Sequence, residues 1–338
     1  GADAYNVAVG SQAGLSITTG IKNIILGGLA GDALTTATEN TIVGYEALSD
    51  ATTCNYNTVL GTQAMKVGEN ANKNTAIGFQ SLFSITQSSA LDTYNTAIGY
   101  SAGAAITTGI FNNLLGAQAG DALTTGTRNV AIGLNALSTE DGHGRNIAIG
   151  HNALFALNAG TDAYNVAIGY DAGVAVTTGV QNTIIGGQVG DALTTGSNST
   201  YVGYAAGSAA TVASFNTAVG HAALAQNVAA QLNTAIGNNA LYSMTAATST
   251  DTYNTAVGHN AGLNITTGTR NTILGALAGD GLTTGSQNVA IGMFALSAED
   301  EHSGNVAIGY QALVTQNAGA DAYNVAVGHL AGLQVTTG

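Results

Sequence analysis

Two groups of side chains have the types and spacing for chemistry. In Glu140-Asp141-Gly142-His143, and again 159 residues later in Glu299-Asp300-Glu301-His302, carboxylates and an imidazole fall within four residues of one another. Such a set can hold a divalent metal or move a proton. The second group is a series of aspartates at recurring turns. Asp32, Asp121, Asp191 and Asp280 stand in the phrase Gly-Asp-Ala/Gly-Leu-Thr-Thr, and Asp3, Asp92, Asp162, Asp251 and Asp321 in Asp-Ala/Thr-Tyr-Asn. Their hard oxygen donors would suit Ca²⁺.

A plainer reading competes with each. A solenoid that binds Ca²⁺ through its repeats needs an aspartate in every coil, and each series has roughly one per four or five units, so turn capping accounts for them. Glu299-Asp300-Glu301 is the longest acidic run and reads as a solvated turn, and no pocket is implied around either histidine. Cys54 stands alone and its counterpart 159 residues on is Ala213. That excludes an intrachain disulfide and leaves a small filler. There is no Gly-x-Ser-x-Gly, no Walker loop and no spaced Cys and His set. The expectation is a protein that is not an enzyme, with no catalytic, cofactor-binding or metal residue assigned and no cofactor.

Composition points the same way. The 338 residues include 47 Gly and no Pro or Trp, with 7% charged residues against roughly 25% in an average domain. The basic residues, Lys22, Lys66, Lys73, Arg128, Arg145 and Arg270, are scattered through a chain of net charge -13. No patch for phosphates is implied, hence no nucleic-acid partner. No apolar run approaches the roughly 20 residues of a membrane helix, so no membrane insertion is expected within this segment.

The positions of these residues are set by a repeat. A phrase of Asn, a short apolar run and Gly recurs from Asn6, Asn23, Asn40 and Asn57 onward to Asn324. There are nineteen starts, eighteen of them Asn and the other Ser199. Successive spacings run 17, 17, 17, 17, 21, 17, 17, 17 and 19, and the series then repeats, summing to 159. Gly follows four residues after every start, and Gly, Leu or Met eight after. A short apolar phrase bounded by Asn and Gly, rich in Val, Ile and Thr, predicts a strand and not a helix. One unit is then one coil, and the fold class is all-β: a parallel β-solenoid of about 19 coils, mostly 17 residues each. It is read as a single continuous solenoid over 1–338, with super-repeats 1–159 and 160–318 and the start of a third copy at 319–338.

Stacked coils about 4.8 Å apart would pass amide hydrogen bonds along an Asn ladder. Within a strand such as NTAIG, Thr and Ile point to one face and Ala to the other, and both faces are apolar. One face fills the coil. The other needs a second surface, and alanines there would admit a neighbouring chain closely, which predicts a homo-oligomer, most simply a trimer. The insertions at 84–91 and 243–250, and at 156–161 and 314–320, should bulge outward. Both ends of the sequence lie inside the repeat pattern, so a segment of a longer polypeptide is expected.

At Asn-Thr/Val-Ala-Ile/Val-Gly followed by Ala, the chain resembles the head repeats of trimeric autotransporter adhesins of the YadA type. It is also similar to the NTAIGYQAL-style arrays of phage tail fibres. The likeness covers essentially the whole chain, although the unit is longer than that of the YadA head. It implies a left-handed parallel β-roll, homotrimeric and able to continue end to end, located extracellularly on a cell surface or virion. The function expected is the structural shaft of a surface fibre. The alternative is an adhesin whose insertion loops and exposed Tyr100, Tyr170 and Tyr310 bind a cell-surface glycan or protein. An ice-binding face is disfavoured, because the Thr pairs are adjacent and interrupted, as at Lys66-Val67-Gly68.

Overall fold

A computed structural model describes residues 3–246 and 248–337. Gly1 and Ala2 of the first super-repeat, Ala247 of the 243–250 insertion, and Gly338 lie outside the described residues. The chain divides into two compact units, Gly1–Asn165 and Val166–Gly338. It is all-β, a parallel β-solenoid of about nineteen coils with starts about 17 residues apart. Among the described residues, nine three-residue strands belong to the first unit, Val7–Val9 through Ile147–Ile149, and ten to the second, Val166–Ile168 through Val325–Val327. Within each unit each pairs with the next in unbroken register: Thr41 opposite Thr58, Ile42 opposite Val59, Val43 opposite Leu60.

The inner face is set by the middle residue of each strand. Ile25, Ile42, Val59, Ala76, Ala97, Leu114 and Ala131 are fully buried, while the residues on either side of them are exposed or half-buried. This corrects the assignment of faces. The alanine face points into the coil and is not the surface open to a neighbouring chain. The outer face carries Thr, Val or Ile at the first strand position, with Asn113 the exception, and Val, Ile or Leu at the third. Alanine predominates in the inner rank, which also takes Ile, Val, Leu and, at Tyr201, an aromatic ring.

Two further inner slots lie eight and eleven residues after the Asn, and in several coils a glycine in one faces a large residue in the other. Where the eighth residue is Gly31, Gly103 or Gly120, the eleventh is Leu34, Ile106 or Leu123. A Cβ added at Gly120 would stand 2.8 Å from Leu123 Cδ1. The Gly that ends each strand is required for a different reason. Gly133 has φ 134°, and a Cβ there would meet the carbonyl oxygen of Gly150 in the next coil at 2.5 Å.

The Asn ladder is formed. Asn57 Nδ2 donates to Ala71 O at 3.0 Å and to Asn40 Oδ1 at 3.2 Å, and its own Oδ1 accepts the Asn74 backbone N–H at 2.8 Å. The Asn57 amide thus has partners above and below, as a ladder inside a dry core requires. The Thr turns form a second ladder: Thr18 Oγ1 donates to Thr35 O, and Thr35 Oγ1 to Thr52 O. The insertions turn outward only in part: Ser88 to Leu91 and Thr248 to Thr250 are exposed, whereas Ile85, Leu157, Met244 and Gln316 within them are buried.

Candidate functional site

Glu140 and Glu299 both occupy the inner slot eleven residues after an Asn. In the first unit the same slot is filled by Leu123 one coil earlier and Leu157 one coil later, and both are fully buried. Glu140 and Glu299 are likewise 0% exposed. The solvated-turn reading of Glu299-Asp300-Glu301 therefore fails at Glu299, because the slot faces the coil interior whatever residue the sequence places in it. Glu301 is exposed, in keeping with that reading.

In the first unit Glu140 Oε1 accepts the His143 backbone N–H at 3.1 Å, and His143 Nδ1 lies 3.4 Å from the same oxygen. Glu140 Oε2 and His143 Nδ1 are buried without a hydrogen-bond partner. Ligand atoms from Glu140, Asp141 and His143 all lie within 4.8 Å of one another. The loop that carries them is pinned on the backbone side. Thr124 and Thr125 hydroxyls donate to Asp141 O and Gly142 O at 2.8 and 3.1 Å, Asn129 Nδ2 to His143 O at 3.2 Å, and Gly144 N–H to Asp162 Oδ1 at 3.0 Å.

In the second unit Glu299 Oε1 accepts the backbone N–H of His302 and of Asp300, both at 3.2 Å, and faces His302 Nδ1 at 3.0 Å. Its Oε2 accepts from Gln316 Nε2 at 3.2 Å. Gln316 stands where the first unit has Leu157. The ligand atoms of Glu299, Asp300 and His302 are again mutually within 4.8 Å.

The other residues singled out in the sequence stay apart from these sets. Asp121 accepts the Ser138 hydroxyl at 2.6 Å, and Asp280 accepts that of Ser297. Asp92 and Asp162 pair with Lys73 and Arg145 at 2.6 and 2.7 Å, Asp251 accepts the Tyr253 hydroxyl at 3.2 Å, and Asp321 the Ser303 N–H at 2.8 Å. Buried carboxylate oxygens of Asp32 and Asp191 have no partner. Burial pushes the Cys54 thiol up to about 12, with the nearby Glu69 charge adding to the effect, so it is no nucleophile.

Scattered in sequence, five of the six basic residues share one position of the coil, Lys66 being the exception, and the four in the first unit lie in one column. Lys22, Lys73, Arg128 and Arg145 of the first unit each immediately precede an Asn, as does Arg270 in the second. They interleave with aromatics. Lys73 Nζ lies 5.9 and 5.2 Å from the ring centres of Tyr56 and Tyr94, Tyr94 stacks on Phe111 at 5.7 Å, and Arg128 lies 5.4 Å from Phe111. Carboxylates match three of the charges, since Lys22 pairs with Glu39 at 3.0 Å in addition to the two pairs above. The column is an internally compensated ladder.

Tyr100, Tyr170 and Tyr310 are exposed. Tyr100 stacks on Phe79 at 5.5 Å and Tyr310 on His329 at 5.4 Å. In the second unit a groove of about 430 Å³ is lined by His221, Asn239, Tyr242, Leu263 and the alanines 205, 222 and 225. The first unit has Glu46, Gln63 and Lys66 at the places of those alanines, and there Glu46 accepts from Lys66 Nζ at 2.8 Å and from Gln63 Nε2 at 3.0 Å.

No helix is long and apolar enough to cross a membrane among the described residues. Compared with known proteins, the chain matches no protein-family model and no curated protein.

Proposed function

We propose that the chain is the structural shaft of a surface fibre, extracellular or on a virion, non-enzymatic and assembled from several copies of itself. The observation that carries this reading is the third strand position, which is Val, Ile or Leu in every coil and lies on the outer face. Val9 is 62% exposed, Leu60 46%, Ile98 36% and Leu274 42%. A continuous aliphatic stripe beside a column of Thr and Val is larger than a soluble monomer ordinarily leaves open. Identical stripes on three chains would cover one another, in keeping with the resemblance to YadA-type heads and tail-fibre arrays and with the left-handed, trimeric β-roll that it implies. Light scattering of the purified chain tests the assembly. Three chains per particle, in elongated particles by electron microscopy, support the shaft, and a monodisperse monomer overturns it.

A second reading, an adhesin, is favoured by the groove at His221 and Tyr242. An aromatic ring, an amide and a hydroxyl from Ser208 line it, a set that suits a glycan more than an aliphatic partner. Ala222→Gln with Ala225→Lys would fill the groove with the first unit's own residues. Retention on a glycan array that is lost in this variant supports the adhesin, and absence of glycan binding by the parent chain removes it.

A further inference from the structure

We propose that Glu140, Asp141 and His143 bind a divalent cation of the zinc class. Glu140 is fully buried, in a slot that is otherwise leucine in the adjacent coils, and its Oε2 has no hydrogen-bond partner. His143 Nδ1 is buried and unpartnered as well. A carboxylate removed from water with one oxygen unmatched is costly unless a positive charge meets it. Beyond His143, which faces Oε1 at 3.4 Å, the basic side chain nearest in sequence, Arg145, is held by Asp162 at 2.7 Å. One imidazole nitrogen and two carboxylate oxygens within 4.8 Å of one another make a donor set for a borderline-soft cation, with room in the coordination shell for water. Ca²⁺ or Mg²⁺ would want oxygen donors alone. The four hydrogen bonds along the loop hold the ligands in place, and Asp141, on the exposed side, gives the ion its way in.

The second unit contains the matching control. The same three residue types recur at Glu299, Asp300 and His302, but Gln316 donates to Glu299 Oε2 at 3.2 Å. An amide N–H thus satisfies the oxygen that Glu140 leaves unmatched. Leu157 offers no such donor to Glu140.

Co²⁺ is the probe, added to the full chain after treatment with a chelator and read by its visible absorption, with Zn²⁺ displacing it. One ion per chain is expected. Glu140→Gln and His143→Ala should each weaken binding by about tenfold or more. Leu157→Gln should weaken it without removing a ligand, and Gln316→Leu should raise the stoichiometry to two. Circular dichroism of each variant confirms the fold, and the gain in Gln316→Leu does not depend on any loss. Absence of a saturable Co²⁺ band, or a band unchanged by both Glu140→Gln and His143→Ala, overturns the proposal.

Discussion

The first and second super-repeats share a backbone register yet solve one packing problem in different ways. In the first, Glu140 stands in a leucine slot with an oxygen that nothing donates to. In the second, Glu299 has both oxygens engaged, and the unmatched atoms are instead Gln316 Oε1 and Asn305 Nδ2, also buried. An orphaned neutral amide costs less than an orphaned carboxylate. The difference teaches that the Gly corner is kept in every coil and the Asn ladder in all but Ser199, while the inner slot eleven residues after each ladder position can take chemistry if its neighbours adjust.

The largest expected effect removes what the copies share. Gly133 and Gly292 end the strands of the two coils that carry the glutamates. They have φ 134° and 125°, and an added Cβ would lie 2.5 Å from the carbonyl oxygen of Gly150 or of Gly309. Gly133→Ala and Gly292→Ala should each destabilise by about 3 kcal/mol or more, because the conformational strain and the clash with backbone act together. Chemical denaturation of the two variants should give matching losses, and a marked inequality would break the equivalence of the copies. Next in size is the exchange at the variable slot. Gln316→Leu strands a buried carboxylate oxygen and should cost about 2 kcal/mol in the absence of metal. Leu157→Gln, which supplies a donor but buries another amide oxygen, should lie between zero and about 1 kcal/mol of stabilisation.

These expectations rest on features that the sequence displays unequally. Strand, corner and Asn ladder were legible because their residue types repeat at fixed offsets from Asn6 to Asn324. The choice of inner face was not, since a three-residue strand with apolar groups on both sides has no alternation to read. Glu299 was misread because acidic runs are usually solvated. The signal that places it correctly is its offset: eleven residues after Asn stand Ile17, Leu34, Ile85, Ile106 and Leu123, and a glutamate in that series must be inside. The aligned basic residues were missed for the same reason, having been counted along the chain instead of by their position within the coil. What binds in the inner slot depends on single contacts, such as Gln316 to Glu299, that no periodicity encodes.

A smaller effect separates the copies by pH. Hydrogen bonds from Lys66 and then Gln63 hold the Glu46 carboxyl down at about 2, against an ordinary value of 4.5. The contribution of this pair is present above about 4.5 and is lost as pH falls toward 2. The second copy has Ala205, Ala222 and Ala225 there and lacks this acid limb. Glu46→Gln should abolish the limb in the first copy while leaving stability near pH 3 less changed than at pH 7. An NMR titration of the Glu46 carboxyl with a midpoint near 4.5 would contradict the arrangement.

The smallest effect concerns the one large side chain that the second copy places in its core. Tyr201 fills the strand position held by Ile42 in the first copy, and its surroundings have shrunk to fit: Ser199 for Asn40, Gly207 for Leu48 and Ala213 for Cys54. A Cβ at Gly207 would lie 2.6 Å from the Tyr201 ring. Ser199 keeps the ladder intact, since its N–H donates to Asn182 Oδ1 at 3.0 Å and its hydroxyl oxygen accepts the Asn216 N–H at 3.2 Å. The Tyr201 hydroxyl itself makes no hydrogen bond, and burial drives its pKa up. Tyr201→Phe keeps the ring that the shrunken neighbours were shaped around and removes an unmatched polar atom. It should therefore stabilise the chain by up to about 1 kcal/mol, measured by denaturation. A loss of that size would mean that the hydroxyl finds a partner in solution, and the second copy would then have built a polar contact into its core where the first has none.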